Sequence, residues 1–168
     1  VSIYGCEECT SLPRLGQLPS LKELYIGKMS KVKVVGWELL GTGVAFPSLE
    51  ILAFDSMPSW EVWSTNNNGV VDASVFPCLK KLLILFCPNL VEVSLEKLPL
   101  LRVLTVKGCG HGVLTTLLHV ASSVTMLEIG NISGLTDELW RSVFKYLGKL
   151  EKLYISGCNE IRYLWQSE

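Results

Sequence analysis

Apolar positions along the chain recur in a spacing that fits neither a long helix nor an ordinary alternating strand. A leucine is followed by apolar residues three and five positions later: Leu21-Leu24-Ile26, Leu49-Leu52-Phe54, Leu79-Leu82-Ile84 and Leu101-Leu104-Val106. The pattern returns in weaker form at Val124-Leu127-Ile129 and clearly at Leu150-Leu153-Ile155. Successive starts lie 28, 30, 22, 23 and 26 residues apart, and Val1 and Ile3 fit the third and fifth positions of an earlier unit. Self-similarity at such a period marks stacked supersecondary units, each unable to bury its own apolar face alone.

Positions three and five are two apart, so on a strand they point to the same side. Stacking would place these short strands side by side in a parallel sheet, with apolar residues in columns. Proline precedes the starting leucine by two in four units (Pro19, Pro47, Pro77, Pro99). It fixes the backbone and cannot occupy a central strand, so it marks the entry turn. The pattern predicts an α/β fold: an irregular leucine-rich-repeat solenoid, with short parallel β-strands on its concave face and loops, turns and a few short helices on its convex face. About seven repeats would form one domain over 1–168, with a truncated N-terminal edge because the chain starts without Met inside a strand.

Three residues beyond the fifth position stand Cys6, Met29, Met57, Cys87, Cys109, Ile132 and Cys158. Cys9 falls in the next column with Val32, Trp60, Leu90, Leu135 and Ile161. Five of the six cysteines are thus expected in interior columns, with Cys78 in an entry turn. Free cysteine commonly behaves as a small buried hydrophobe. Cys6-Glu7-Glu8-Cys9 could also be half of a metal site or a redox pair, but no second close Cys or His pair completes it. Reduced thiols imply a cytosolic or nuclear compartment. There the Asn131-Ile132-Ser133 glycosylation pattern would be irrelevant.

The connections differ from unit to unit. Residues 33–45 carry Trp37, Leu39 and Leu40 and suggest a bulky convex connection. The polar run from Ser64 to Val75 suggests an exposed loop, either a tolerated insertion or a contact loop. His111 through His119 could form a short outer helix. Asp137 to Leu147 has the clearest helical period, with Leu139, Trp140, Val143, Phe144 and Leu147 on one face and Thr136 or Asp137 as cap.

Composition narrows the function. With 29 leucines in 168 residues, 15 basic against 16 acidic side chains and a net charge of -1, the chain has apolar residues for a core but no basic stripe for nucleic acid or anionic lipid. The longest purely apolar run, Leu82 to Cys87, is far shorter than a membrane span. No charged start leads into an apolar stretch, as a signal peptide would require. Phosphate-cradle, dinucleotide and Gly-x-Ser-x-Gly signatures are absent. His111 and His119 fall in connecting segments and do not match a metal spacing. The expectation is a binding module without catalytic, cofactor or metal residues.

Side chains alternating with the buried ones would face the inner curve. The candidate partner-binding residues there are Tyr25, Ile51, Ala53, Asp55, Lys81, Leu83, Leu85, Lys107, Glu128 and Tyr154. Ile51, Ala53, Leu83 and Leu85 would make an apolar patch flanked by Tyr25 and Tyr154, which suits a protein contact. A mixed-charge ridge of Asp55, Lys81, Lys107, Glu128 and Lys152 would add specificity more than affinity.

Four linked phrases carry a resemblance: Leu15-Gly16-Gln17-Leu18-Pro19-Ser20-Leu21-Lys22, Met29-Ser30-Lys31-Val32-Lys33, Phe46-Pro47-Ser48-Leu49-Glu50 and Met57-Pro58-Ser59-Trp60-Glu61-Val62-Trp63. Phe76-Pro77-Cys78-Leu79 and Cys87-Pro88-Asn89-Leu90 continue the style. They resemble the C-terminal leucine-rich repeats of plant coiled-coil nucleotide-binding immune receptors, the NLR disease-resistance proteins. The likeness weakens between Val120 and Leu147. It implies sensing of a pathogen or pest molecule, directly or through a guarded host protein, and restraint of a switch by contact with the parent's other domains. ATP or ADP would belong to the nucleotide-binding domain outside this sequence. A substrate-recognition module of a ubiquitin-ligase adaptor is the leading alternative, ahead of a secreted ectodomain or an enzyme.

Overall fold

The computed structural model describes residues 1–65 and 74–165. The strands in chain order are β1 (Ser2–Tyr4), β2 (Glu23–Gly27), β3 (Val34–Val35), β4 (Ile51–Asp55), β5 (Val62–Ser64), β6 (Lys81–Leu85), β7 (Glu92–Ser94), β8 (Val103–Lys107), β9 (Met126–Gly130) and β10 (Lys152–Ser156). Three helices, α1 (Trp37–Leu40), α2 (His111–Val120) and α3 (Asp137–Phe144), lie between them. Seven strands form one sheet in the order β1-β2-β4-β6-β8-β9-β10, and every neighbouring pair is parallel.

The repeat register is the sheet register. Leu24 pairs with Leu52, Leu52 with Leu82, Leu82 with Leu104, Leu104 with Leu127 and Leu127 with Leu153. Ile3 aligns with Ile26, as the pattern of Val1 and Ile3 requires. From β2 to β9 these columns are buried. Burying one such leucine contributes roughly 1.5–3 kcal/mol, and the repetition builds a continuous core from units that could not fold alone.

Each entry turn is a β-turn. The carbonyls of Leu18, Phe46, Phe76 and Leu98 accept the N–H of the starting leucine three residues on, at 3.3, 3.4, 3.4 and 3.4 Å. The recurrent proline therefore sits at the second turn position, where its fixed φ is preferred. A second turn follows each of the strands β4 and β6: Trp60 N donates to Met57 O and Leu90 N to Cys87 O, again across a proline. At the strand exits the backbone swings into the left-handed region, at Gly5, Lys28, Ser56, Phe86, Gly108, Asn131 and Gly157. Phe86, with φ 53°, is the costly member, because a bulky side chain is strained there.

The outer side is more regular than the spacing predicts. β3, β5 and β7 form a second parallel sheet, each strand starting thirteen residues after its unit's leucine. Residues 33–45 thus hold β3 as well as α1. The loop read from Ser64 to Val75 begins within β5, and residues 66–73 lie outside the described part. Beyond β7 the outer side becomes helical. α2 appears where expected and buries Val113, Leu114, Leu117 and Leu118, spaced at one, three and four. α3 starts with Thr136 as cap, its hydroxyl accepting from Leu139 N at 3.4 Å. It ends three residues before Leu147, because Tyr146 N and Leu147 N bond back only three residues, to Val143 O and Phe144 O. Phe144 is half-exposed rather than packed on the core, unlike Trp140 and Val143.

The cysteines need a correction. Cys87 and Cys109 are buried with Met29, Met57 and Ile132, as the column predicted. Cys6 and Cys9 are exposed and Cys158 is half-buried. A column position is dry only when strands flank it on both sides, and β1 and β10 each have a single neighbour. All six thiols are free.

Candidate interaction surface

The open face of the seven-stranded sheet carries three rows of side chains. One runs Glu23, Ile51, Lys81, Val103, Met126, Lys152; the next Tyr25, Ala53, Leu83, Thr105, Glu128, Tyr154; the third Gly27, Asp55, Leu85, Lys107, Gly130, Ser156. All ten candidate residues therefore share one face. Strand neighbours lie about 4.8 Å apart, so one row spans roughly 24 Å from β2 to β10.

Not every candidate is equally available. Ile51, Leu83 and Leu85 are half-buried and Tyr154 is 53% exposed. Ala53 is 5% exposed, which corrects its place in the patch: between the larger Tyr25 and Leu83 its methyl offers little surface. Thr105, between Leu83 and Glu128, is buried in the same way. Val103 and Met126, adjacent in the first row, are half-buried and widen the apolar area toward β9.

The charged ridge is partly self-neutralised. Lys107 Nζ lies 2.5 Å from Glu128 Oε1, so this pair is satisfied without a partner. The Asp55 carboxylate accepts from the Ser56 hydroxyl at 2.9 Å. Lys81 and Lys152 make no ion pair among the described residues and remain open to a ligand. The Tyr25 hydroxyl donates to Glu23 Oε2 at 3.4 Å, and desolvation together with that carboxylate holds its phenol above the ordinary value.

Tyr4 is a face residue missing from the sequence-based candidates. It aligns with Gly27, and a Cβ on Gly27 would come within 2.4 Å of its ring. The glycine therefore leaves room for an exposed aromatic ring over the first strands of the face. Once Ile3 is assigned to the core, the alternation in Ser2-Ile3-Tyr4 points to it.

Among the described residues no group of three His, Cys, Asp or Glu side chains is placed to hold a metal ion. Cys6 and Cys9 close a surface turn, with Cys9 N donating to Cys6 O at 3.0 Å. The neighbouring Glu8 pairs with Lys31 at 2.5 Å. No described helix is long and apolar enough to cross a membrane.

Repeat, register and open face together define an irregular leucine-rich-repeat solenoid of the α/β class. Its similarity is to plant disease-resistance proteins. The chain is 34% identical over 174 residues to an Arabidopsis thaliana protein named disease resistance RPP13-like protein 1, which spans 96% of this chain and 16% of that protein. It is 40% identical over 114 residues to the Arabidopsis disease resistance protein At3g14460, covering 65% of this chain and 8% of the relative. The disease resistance protein RGA1 of Solanum bulbocastanum is 27% identical over 170 residues, 98% of this chain and 16% of its own length. The chain thus spans about one sixth or less of each relative, and it resembles the NLR type of plant disease-resistance protein along nearly its whole length. No family model matches it, and no solved structure does.

Proposed function

We propose that the chain is the ligand-sensing and autoregulatory leucine-rich-repeat domain of an intracellular plant immune receptor. Its open face would recognise a protein, either a pathogen or pest effector or a host protein that the effector modifies. The supporting observation is the half-buried apolar patch of Ile51, Leu83 and Leu85, in register between Tyr25 on one side and Tyr154 on the other. Aromatic anchors around an apolar centre are the residue types that dominate interface energies. The open lysines 81 and 152 would select partners by charge.

Binding alone would not signal. A ligand can shift the receptor only by its differential affinity for the open and closed states. The same face, or its edge, would therefore contact other domains of the parent in the resting state, and the ligand would compete with that contact. The nucleotide would sit on those domains, and this module would act in the cytosol or nucleus as a binder without catalysis of its own.

The test is binding of candidate effectors, host proteins and the parent's other domains to wild type, Leu83→Glu and Tyr154→Ala. At least a tenfold loss is expected for each variant against a true partner, since a buried hot spot is worth about 2 kcal/mol or more. A partner that binds all three equally would place recognition elsewhere.

A further inference from the structure

A cleft lies on the outer side, between α2 and α3. The two helices run parallel. At their starts, His111 Nδ1 lies 2.5 Å from where a Cβ on Gly134 would stand, just before α3. At their ends, the His119 and Tyr146 rings meet edge to face at 5.6 Å. The cleft between them has a volume of about 510 Å³, within the range of small-molecule sites.

Its floor is apolar, formed by Leu139 and the buried Val143. No carboxylate is among its lining residues, although acidic side chains slightly outnumber basic ones in the whole chain. The lining hydroxyls of Thr115 and Ser142 donate to Gly112 O and Leu139 O at 3.1 and 2.7 Å, so their hydrogens are already used. The remaining donors are the side chains of His111, Thr116, His119, Lys145 and Tyr146, which make no hydrogen bond or ion pair with another described residue. Tyr146 touches the His119 imidazole and Thr116 lies one turn back along α2, while Lys145 is the lysine of the same lining.

We propose that this cleft binds a small phosphate monoester with an apolar or aromatic body. The phosphate would accept from Lys145, His119, Tyr146 and Thr116, and the body would lie over Leu139 and Val143 toward His111. A lysine and neutral donors over an apolar floor, with no competing carboxylate in the lining, are complementary to such an amphipathic anion. The site is on the opposite side of the molecule from the proposed protein contact, so a ligand here could be an input separate from it.

Titration of 15N-labelled protein with phenyl phosphate, inorganic phosphate and phenol tests this. Phenyl phosphate should shift α2 and α3 amides saturably and bind at least fivefold more tightly than either fragment. Lys145→Ala and His119→Gln should each weaken it about tenfold, with amide spectra otherwise unchanged, while Lys152→Ala on the open face leaves it intact. No saturable shift in α2 and α3, shifts confined to other regions, equal binding of phenol, or indifference to both cleft variants would overturn the assignment. These readouts are independent of the protein-binding test.

Discussion

The two sides of the solenoid obey different rules. On the open face, β2, β4, β6, β8, β9 and β10 are all five residues long and keep one register. On the outer side the same repeat builds strands in three units, the first of which also carries the one-turn α1, and longer helices later. Unit length does not decide between them: the unit starting at Leu79 has 22 residues and forms β7, while that starting at Leu101 has 23 and forms α2. Local sequence does. Val34-Val35 and Val62-Trp63 are β-branched or aromatic, whereas Val113-Leu114 and Leu117-Leu118 repeat at helical spacing. The core tolerates either because it needs only apolar volume from that side.

That volume comes from different sources. In the two-sheet half, Phe46, Phe54, Trp60, Trp63 and Phe76 form a chain of ring contacts between 4.5 and 6.3 Å. In the helical half, aliphatic residues of α2 and the single buried Trp140 do the same work. Trp140 keeps its indole N–H satisfied by donating to Leu164 O at 2.8 Å, and Trp60 donates to Val62 O at the same distance.

The largest effect should come from Trp63→Ala. It removes a ring with 1% exposure that contacts three others, so a loss of roughly 3–5 kcal/mol is expected in urea unfolding. Hydrogen exchange should accelerate first in β3, β5 and β7; equal acceleration in α2 and α3 would mean that the halves are not separable. Thr136→Ala should cost about 1 kcal/mol through the lost cap and act on α3 first.

Asp137 gives a smaller, pH-dependent effect. Its carboxylate accepts from Arg162 N at 2.7 Å and Tyr163 N at 3.0 Å. Those backbone bonds, led by that from Tyr163, hold its pKa below the ordinary carboxylate value. The stabilisation is therefore present above the unfolded-state pKa and is lost as pH falls through the lower folded value. Wild type should melt above Asp137→Ala at pH 6, and the gap should close in acid; a gap that persists there would show that charge is irrelevant. Lys107→Met should change stability least, by about 1 kcal/mol or less, since its partner Glu128 is a third exposed.

Much of this architecture is legible in the sequence, because leucine, proline and cysteine recur in one register. That register fixes the seven strands and which residues share the open face. β3, β5 and β7 escape it because two or three residues show no alternation. The exposure of Cys6 and Cys9 escapes it because burial depends on a neighbour on each side. Ala53 and Thr105 escape it because accessibility depends on the size of the side chains flanking a small one. The outer cleft is invisible from spacing alone, since His111 and His119 reach a common site only once α3 lies alongside α2.

The shared register is tested most directly by alkylating the native protein and reading each cysteine by mass spectrometry. Cys87 is buried, and the neighbouring Cys109 thiol together with that burial pushes its own thiol above the ordinary range. The thiolate is the reactive form. Cys6 and Cys9 should label within the dead time, Cys78 and Cys158 more slowly, and Cys87 and Cys109 only on unfolding. Labelling of Cys87 as fast as Cys6, or a disulfide joining any two of the six, would contradict a continuous dry spine.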